Sequence, residues 1–232
     1  MPAEPAFLLH RRPYRETSAL VDLLTLNHGR IRAVARGVQR PGAKARQRLQ
    51  PFAPLFVTWQ GERELKRLAL METRGHVALL AGEGLLCGLY ANEVATRLLP
   101  LEMPAADVFA FYTALLEALT LPAERALALR RFEWALLEAR GATPRFATPD
   151  GMLLDGQTRY RFDAVSGAFT PSESGIEGRT LRYMEQGAWQ HPGLSGALKA
   201  VMRQALAPLL GSGELRSRRL MQDLVHHRRA QR

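Results

Sequence analysis

The rhythm of apolar positions changes once along this chain, near Val77. Before that point, short apolar runs are separated by Gly, Pro and charged turns, which is strand punctuation. Phe7 to His10 predicts a first strand, closed by Arg11-Arg12-Pro13. Ala19 to Leu26, rich in Leu and Val, meets the turn Asn27-His28-Gly29, and Ile31 to Val34 continues beyond it. Two apolar runs joined by a short Gly-containing loop predict a hairpin. Leu55 to Trp59 and, after Gly61, Leu65 to Met71 bring the count to five strands in the first 75 residues or so. Five short strands with small loops fit an OB-type barrel, and a small SH3-like barrel fits them too.

Beyond Val77 the spacing is helical. Leu86, Tyr90, Val94 and Leu98 recur every four positions, with Pro100 and Pro104 after them. Val108, Phe111, Tyr112, Leu115, Leu116 and Leu119 follow the i, i+3, i+4, i+7 pattern of an amphipathic helix. Pro122 is expected to open a third helix that Gly141 stops near Arg140. Three consecutive helices with short links imply a small bundle. Residues 142–178 break this texture with repeated Pro and Gly, and Tyr160–Phe169 reads as a hairpin around Ser166-Gly167. Helical spacing returns at Leu194, Leu198, Val201, Met202, Ala205, Leu206 and Leu209, and a last helix is expected over Leu215–Val225.

Charge sharpens this picture. The 232 residues are 47% hydrophobic and 23% charged, with a net charge of +10. Residues 1–80 carry 14 Lys/Arg against 6 Asp/Glu, and residues 179–232 carry 10 against 3, for +8 and +7. The middle is acidic: −3 over residues 81–142 (5 against 8) and −2 over residues 143–178 (3 against 5). Basic ends point to nucleic acid or another anionic surface. Their densest stretch is Gly29 to Arg48, where Arg30, Arg32, Arg36, Arg40, Lys44, Arg46 and Arg48 occur without an acid. In its first half Ile31, Ala33 and Ala35 alternate with Arg30, Arg32 and Arg36, so a strand here has one cationic face. Its second half, with Gly37, Pro41 and Gly42, reads as a loop. Such an arrangement suits phosphates, whose neutralisation releases counterions; a solvated basic loop is the plainer alternative. Arg216, Arg218 and Arg219, with Arg228 and Arg229, form a second basic patch. Tyr14, Phe52, Phe56 and Trp59 lie among the N-terminal cations, where they serve either the barrel core or base stacking.

Signs of catalysis are missing. No G-x-S-x-G, Walker A, H-E-x-x-H or G-x-G-x-x-G occurs. Asp150, Asp155, Asp163 and Glu173 have no metal-ligand spacing and read as solvated loop carboxylates. His226-His227 is adjacent rather than i, i+4 and reads as part of the basic tail. Cys87 is the single cysteine, so an intramolecular disulfide and a multi-cysteine zinc site are both excluded. The N-terminus has no apolar h-region, and no apolar run reaches the ~18 residues of a membrane span. A cytoplasmic, cofactor-free protein with no membrane association is expected.

Six fragments, in order along nearly the whole chain, resemble the bacterial recombination mediator family RecO. They are Ala6–Leu9 with Glu16-Thr17-Ser18; Gly29-Arg30 with Ala35-Arg36-Gly37; Leu49-Gln50-Pro51-Phe52; Gly88-Leu89-Tyr90 with Asn92-Glu93; Leu129-Arg130-Arg131-Phe132-Glu133; and Leu215-Arg216-Ser217-Arg218. The resemblance implies an α+β chain: an N-terminal OB-fold β-barrel over residues 1–78, then an α-helical domain over residues 79–232. It implies no catalytic site, binding of single- and double-stranded DNA, and annealing of complementary strands. With the partner RecR, it implies loading of RecA onto strands coated by single-strand binding protein (SSB). Many members carry a four-cysteine zinc module in the segment matching residues 142–178. This chain has neither Cys nor His there, so a degenerate, metal-free version is expected. The resemblance also places the site for the acidic C-terminal tail of SSB in the helical domain, where Arg130, Arg131 and Phe132 offer cations beside an apolar ring; Arg130 is the expected carboxylate partner and Arg131 the second choice. The competing classes are a metal-dependent nuclease or hydrolase using the 150–173 carboxylates, and an RNA-binding OB protein.

Overall fold

The computed structural model describes residues 2–40, 42, 48–73, 75 and 77–230. The strands β1 (Glu4–Tyr14), β2 (Ser18–Thr25), β3 (Gly29–Ala35), β4 (Pro54–Gln60) and β5 (Leu65–Thr73) close into a barrel in the order β1-β2-β3-β5-β4. Neighbours are antiparallel except β3 and β5, which run parallel, and β4 returns to β1. The OB-like barrel expected over the first third is present. The other named elements among the described residues are α1 (Gly82–Leu98), α2 (Ala106–Ala118), α3 (Arg125–Ala139), β6 (Arg159–Asp163), β7 (Ala168–Pro171), β8 (Ile176–Glu177), α4 (Gly178–Glu185), α5 (Leu194–Leu210) and α6 (Arg216–Ala230).

Two compact units result: Met1–Arg125 with Glu214–Arg232, and Ala126–Gly213. The texture change near residue 78 therefore falls inside the first unit, where α1 packs on β1 and α6 returns to α1. Leu8, Val21, Leu23, Ile31, Leu55 and Val57 fill the barrel. In β1, Ala6–Leu9 are all buried because the strand is covered on both sides. Ala6 and Leu8 point into the barrel, while Phe7 meets Phe109 and Tyr112 of α2 at ring distances of 5.3 and 5.1 Å. Asn92 of α1 donates to the Leu8 carbonyl (3.3 Å) and accepts from the Tyr112 hydroxyl (2.5 Å), and burial pushes that phenol well above its ordinary pKa. Arg11-Arg12-Pro13 does not end β1. The ladder runs on to Tyr14 opposite Ser18, after a bulge between Leu8 and His10, with these three residues exposed.

Glu93 of α1 fastens the returning helix. Its carboxylate accepts from the backbone N–H groups of Arg216 (3.0 Å) and Ser217 (2.9 Å) and from the Ser217 hydroxyl (2.7 Å), so it caps the N-terminus of α6. Arg97 adds a 2.9 Å ion pair. Burial raises the carboxyl, but the bonds from Ser217 and Arg216 and the charge of Arg97 outweigh it and hold the pKa below the usual 4.5. A depressed carboxyl stabilises the fold above its unfolded pKa, and that contribution disappears as pH falls through the folded value. Glu93→Ala should cost about 1 kcal/mol at neutral pH, the scale of a lost helix cap. The difference from wild type should shrink at acid pH, as the carboxylate protonates in the folded state too. Urea unfolding at both pH values checks this; an equal difference at acid pH would count against the cap.

The second unit holds α3, the small sheet β7-β6-β8, α4 and α5. Tyr160 pairs with Pro171 and Asp163 with Ala168, so the hairpin read from Ser166-Gly167 is present. Aromatic rings tie it to α3: Trp134 stacks with Phe146 (6.3 Å), Phe146 with Phe169 (5.5 Å), and Phe169 meets Phe162 edge-on (5.4 Å). α3 starts at Arg125, later than Pro122 suggested. Residues 121–124 form a turn instead, in which Glu124 N–H donates to Leu121 C=O (3.1 Å).

Candidate nucleic-acid interface

The alternation in β3 is real, and its two faces differ in a way that separates the arginines. Ile31, Ala33 and Ala35 are inside the barrel. On the outer face the cations become steadily more open from one end of the strand to the other. Arg30 is buried; Arg32 is half-buried, paired with Asp22 (3.2 Å) and Glu64 (3.4 Å); Arg36 is exposed. Arg30 is thereby removed from the expected DNA-contacting set. Its Nε meets Asp22 (3.2 Å), and its Nη1 donates to the carbonyls of Thr96 and of Leu99 (2.8 Å) at the end of α1. Buried and held by one carboxylate and two helix-end carbonyls, this guanidinium is not presented to a phosphate at the surface. Gly29 makes this close approach possible. Its φ is +62°, and a Cβ there would come within 1.8 Å of the Met103 carbonyl oxygen.

Away from that covered end, the barrel surface opens into a groove of about 220 Å³. Val34 of β3 and Arg36 just beyond that strand, Leu65 and Arg67 of β5, and Tyr14 at the end of β1 with Arg15 in the β1–β2 turn border it. Arg15, Arg36 and Arg67 are exposed, and Leu65 is 42% exposed. Gln39 locks the two flanking turns together, its N–H donating to Thr17 C=O (2.9 Å) and its side-chain amide to Ser18 C=O (2.6 Å). That tie fixes Arg36 beside Tyr14 and Arg15. The Arg15 guanidinium carbon lies 5.3 Å from the Tyr14 ring centre. Arg15, Leu65 and Arg67 escaped the sequence reading because they belong to different runs and come together only through the parallel β3–β5 pairing.

Of the remaining expected barrel cations, Arg40 and Arg48 are exposed, and Lys44 and Arg46 lie outside the described residues. Among the rings, Phe52 and Trp59 are buried core, Phe56 is half-buried, and Tyr14 borders the groove. The second basic patch maps to the start of α6. Arg216 and Arg219 are exposed, while Arg218 is half-buried over Tyr90, 5.5 Å from its ring centre. The side chains of His227, Arg228 and Arg229 lie outside the described part of the chain.

On α3 the expected tail-binding trio separates. Phe132 is fully buried and cannot line an open groove. Arg130 is 12% exposed and pairs with buried Glu133 at 2.9 Å. Arg131 alone of the three is exposed, and Trp134, one turn on, is half-buried with Phe146 and Trp189 against it.

The loop acids show no shared site. Asp155 accepts from the Gln157 and Thr158 N–H groups (2.9 and 2.8 Å), and Asp163 from Val165 and Ser166 N–H and the Ser166 hydroxyl (3.1, 3.2 and 2.6 Å). Bonds from Thr158 to Asp155, and from Ser166 to Asp163, lower both carboxyls below the ordinary range. These carboxylates hold turns. Among the described residues no group of three His, Cys, Asp or Glu side chains could hold a metal. No helix there is long and apolar enough to cross a membrane.

The chain matches two family models, "Recombination protein O N terminal" over residues 1–76 and "Recombination protein O C terminal" over residues 80–148. It is 42% identical over 228 residues to the DNA repair protein RecO of Pseudomonas paraeruginosa, covering 95% of each chain. It is 41% identical to that of Stutzerimonas stutzeri over 95% of this chain and 94% of that one. With that of Nitrosococcus oceani the identity is 36%, over 95% and 93%. A barrel at the N-terminus, helices behind it and identity along nearly the full length agree: the chain belongs to the RecO family of DNA repair proteins.

Proposed function

We propose that this protein is a recombination mediator that acts by binding DNA rather than by turnover. It holds single- and double-stranded DNA, anneals complementary strands and, with RecR, helps RecA load onto SSB-coated single strands. The barrel groove carries this reading. Three exposed arginines, a tyrosine and an apolar floor face the same opening, which matches how OB folds track a strand. Arg32, Arg40, Arg48 and, on α6, Arg216, Arg218 and Arg219 extend the basic surface. The acidic tail of SSB docks on α3 of the second unit. Arg131 is its carboxylate partner there, because it is the open cation of the expected pair, and Trp134 with Phe146 and Trp189 offers the apolar surface such a tail needs. Annealing of SSB-coated complementary strands tests the whole reading. Addition of this protein should accelerate duplex formation without cleaving labelled DNA when magnesium is present. Arg131→Ala should slow the coated reaction but not the bare one. No acceleration on bare strands, or cleavage dependent on metal, would overturn the reading.

A further inference from the structure

Phosphate attraction explains Arg15, Arg36 and Arg67 but not the rest of the groove. A purely electrostatic track has no use for Leu65, a large apolar side chain in the groove lining that is left 42% exposed. Nor does it need a tyrosine at the rim. The turn that places Tyr14 also holds Arg15 at φ +53°, a left-handed conformation that non-glycine residues adopt at a cost. Strain of this kind persists where the surroundings impose it and gathers at ligand-binding positions. Here it keeps the guanidinium against the Tyr14 ring, and Gln39 braces the turn from the other side. The volume of about 220 Å³ is below the ~300–1,000 Å³ of ordinary small-molecule pockets.

We infer that this groove is a subsite for one unstacked nucleobase, seated between Tyr14 and the Val34–Leu65 floor, with Arg36 and Arg67 on the phosphates beside it. This rests on the groove being the DNA-binding surface and adds what it reads: the face of a base, which a duplex keeps stacked and a single strand can present. The site therefore distinguishes single strands from duplex, without reading sequence, because every base has a π-face.

The test measures binding of the full chain to three probes: an oligothymidylate, an equally long strand of abasic deoxyribose phosphates, and a blunt duplex. Tyr14→Ala should lose roughly 5- to 100-fold on the oligothymidylate, the range for one stacked base, and nothing on the abasic strand or the duplex. Tyr14→Phe should retain wild-type binding. Leu65→Asn, at a position 42% exposed, should show the same selectivity in weaker form. Equal losses on thymidylate and abasic strands, or no loss on either from both Tyr14→Ala and Leu65→Asn, would overturn the base subsite. The groove reading itself stands or falls separately, on whether Arg36→Ala with Arg67→Ala weakens all three probes.

Discussion

Replacing Arg30 with alanine should destabilise the first unit by about 3 kcal/mol while leaving the salt dependence of DNA binding unchanged. The magnitude follows from what the side chain holds. Asp22 is 7% exposed at its side chain and takes its ion pairs from Arg30 and Arg32, both at 3.2 Å. Removing one member of a buried pair leaves the other charge uncompensated, which costs about 3–5 kcal/mol. Arg32 remains beside Asp22, which places the expectation at the low end. The same substitution also strips the carbonyls of Thr96 and Leu99, at the C-terminal end of α1, of their shared donor. Lysine should not rescue it. One ammonium cannot reproduce a planar group that reaches a carboxylate through Nε and two carbonyls through Nη1. Urea unfolding of wild type, Arg30→Ala and Arg30→Lys measures this directly. A variant of wild-type stability whose DNA binding has lost salt dependence would return Arg30 to the phosphate-binding set.

Arg30 also marks how far the sequence could be read. Period-two alternation from Arg30 to Arg36 correctly separates an inner apolar face from an outer cationic one, because only the pleat is needed to decide it. Which outer cation meets water is a tertiary question. It depends on α1 ending over Arg30, some seventy residues further along the chain. Phe132 failed for the same reason: cation-plus-ring spacing on α3 does not say which side of the helix faces the core. Phe132 faces inward, and Trp134 is the half-exposed ring. α4 was missed because an eight-residue helix with only Gly178, Leu181 and Met184 buried has too few turns to show a period. The groove was half legible. Arg36 and Tyr14 stand out as a cation in a basic run and a ring near it. Arg15, Leu65 and Arg67 join them only once β5 lies parallel to β3, with Val34 opposite Arg67.

The triple substitution Arg15→Ala, Arg36→Ala and Arg67→Ala should weaken single-strand binding roughly 100-fold at low salt. All three side chains are exposed, so each contact is worth about 1 kcal/mol once solvent screening is allowed for. Three such contacts are about two decades in affinity. The sharper signature is the slope of log K against log salt, which should become shallower by about 2, at ~0.7 per phosphate contact on a single strand. Stability should change little, because none of the three lies in the barrel core. Lowering a net charge of +10 weakens binding to any polyanion, so the matching control removes three exposed cations of the second unit: Arg140, Lys199 and Arg203. That variant has the same net charge as the groove triple. If attraction is diffuse, the two should lose equally in affinity and slope. If the groove holds the strand, the control should keep nearly the wild-type slope while the groove triple loses it. Equal losses would mean that the strand follows the general field of the protein and not the channel between β3, β5 and the β1–β2 turn.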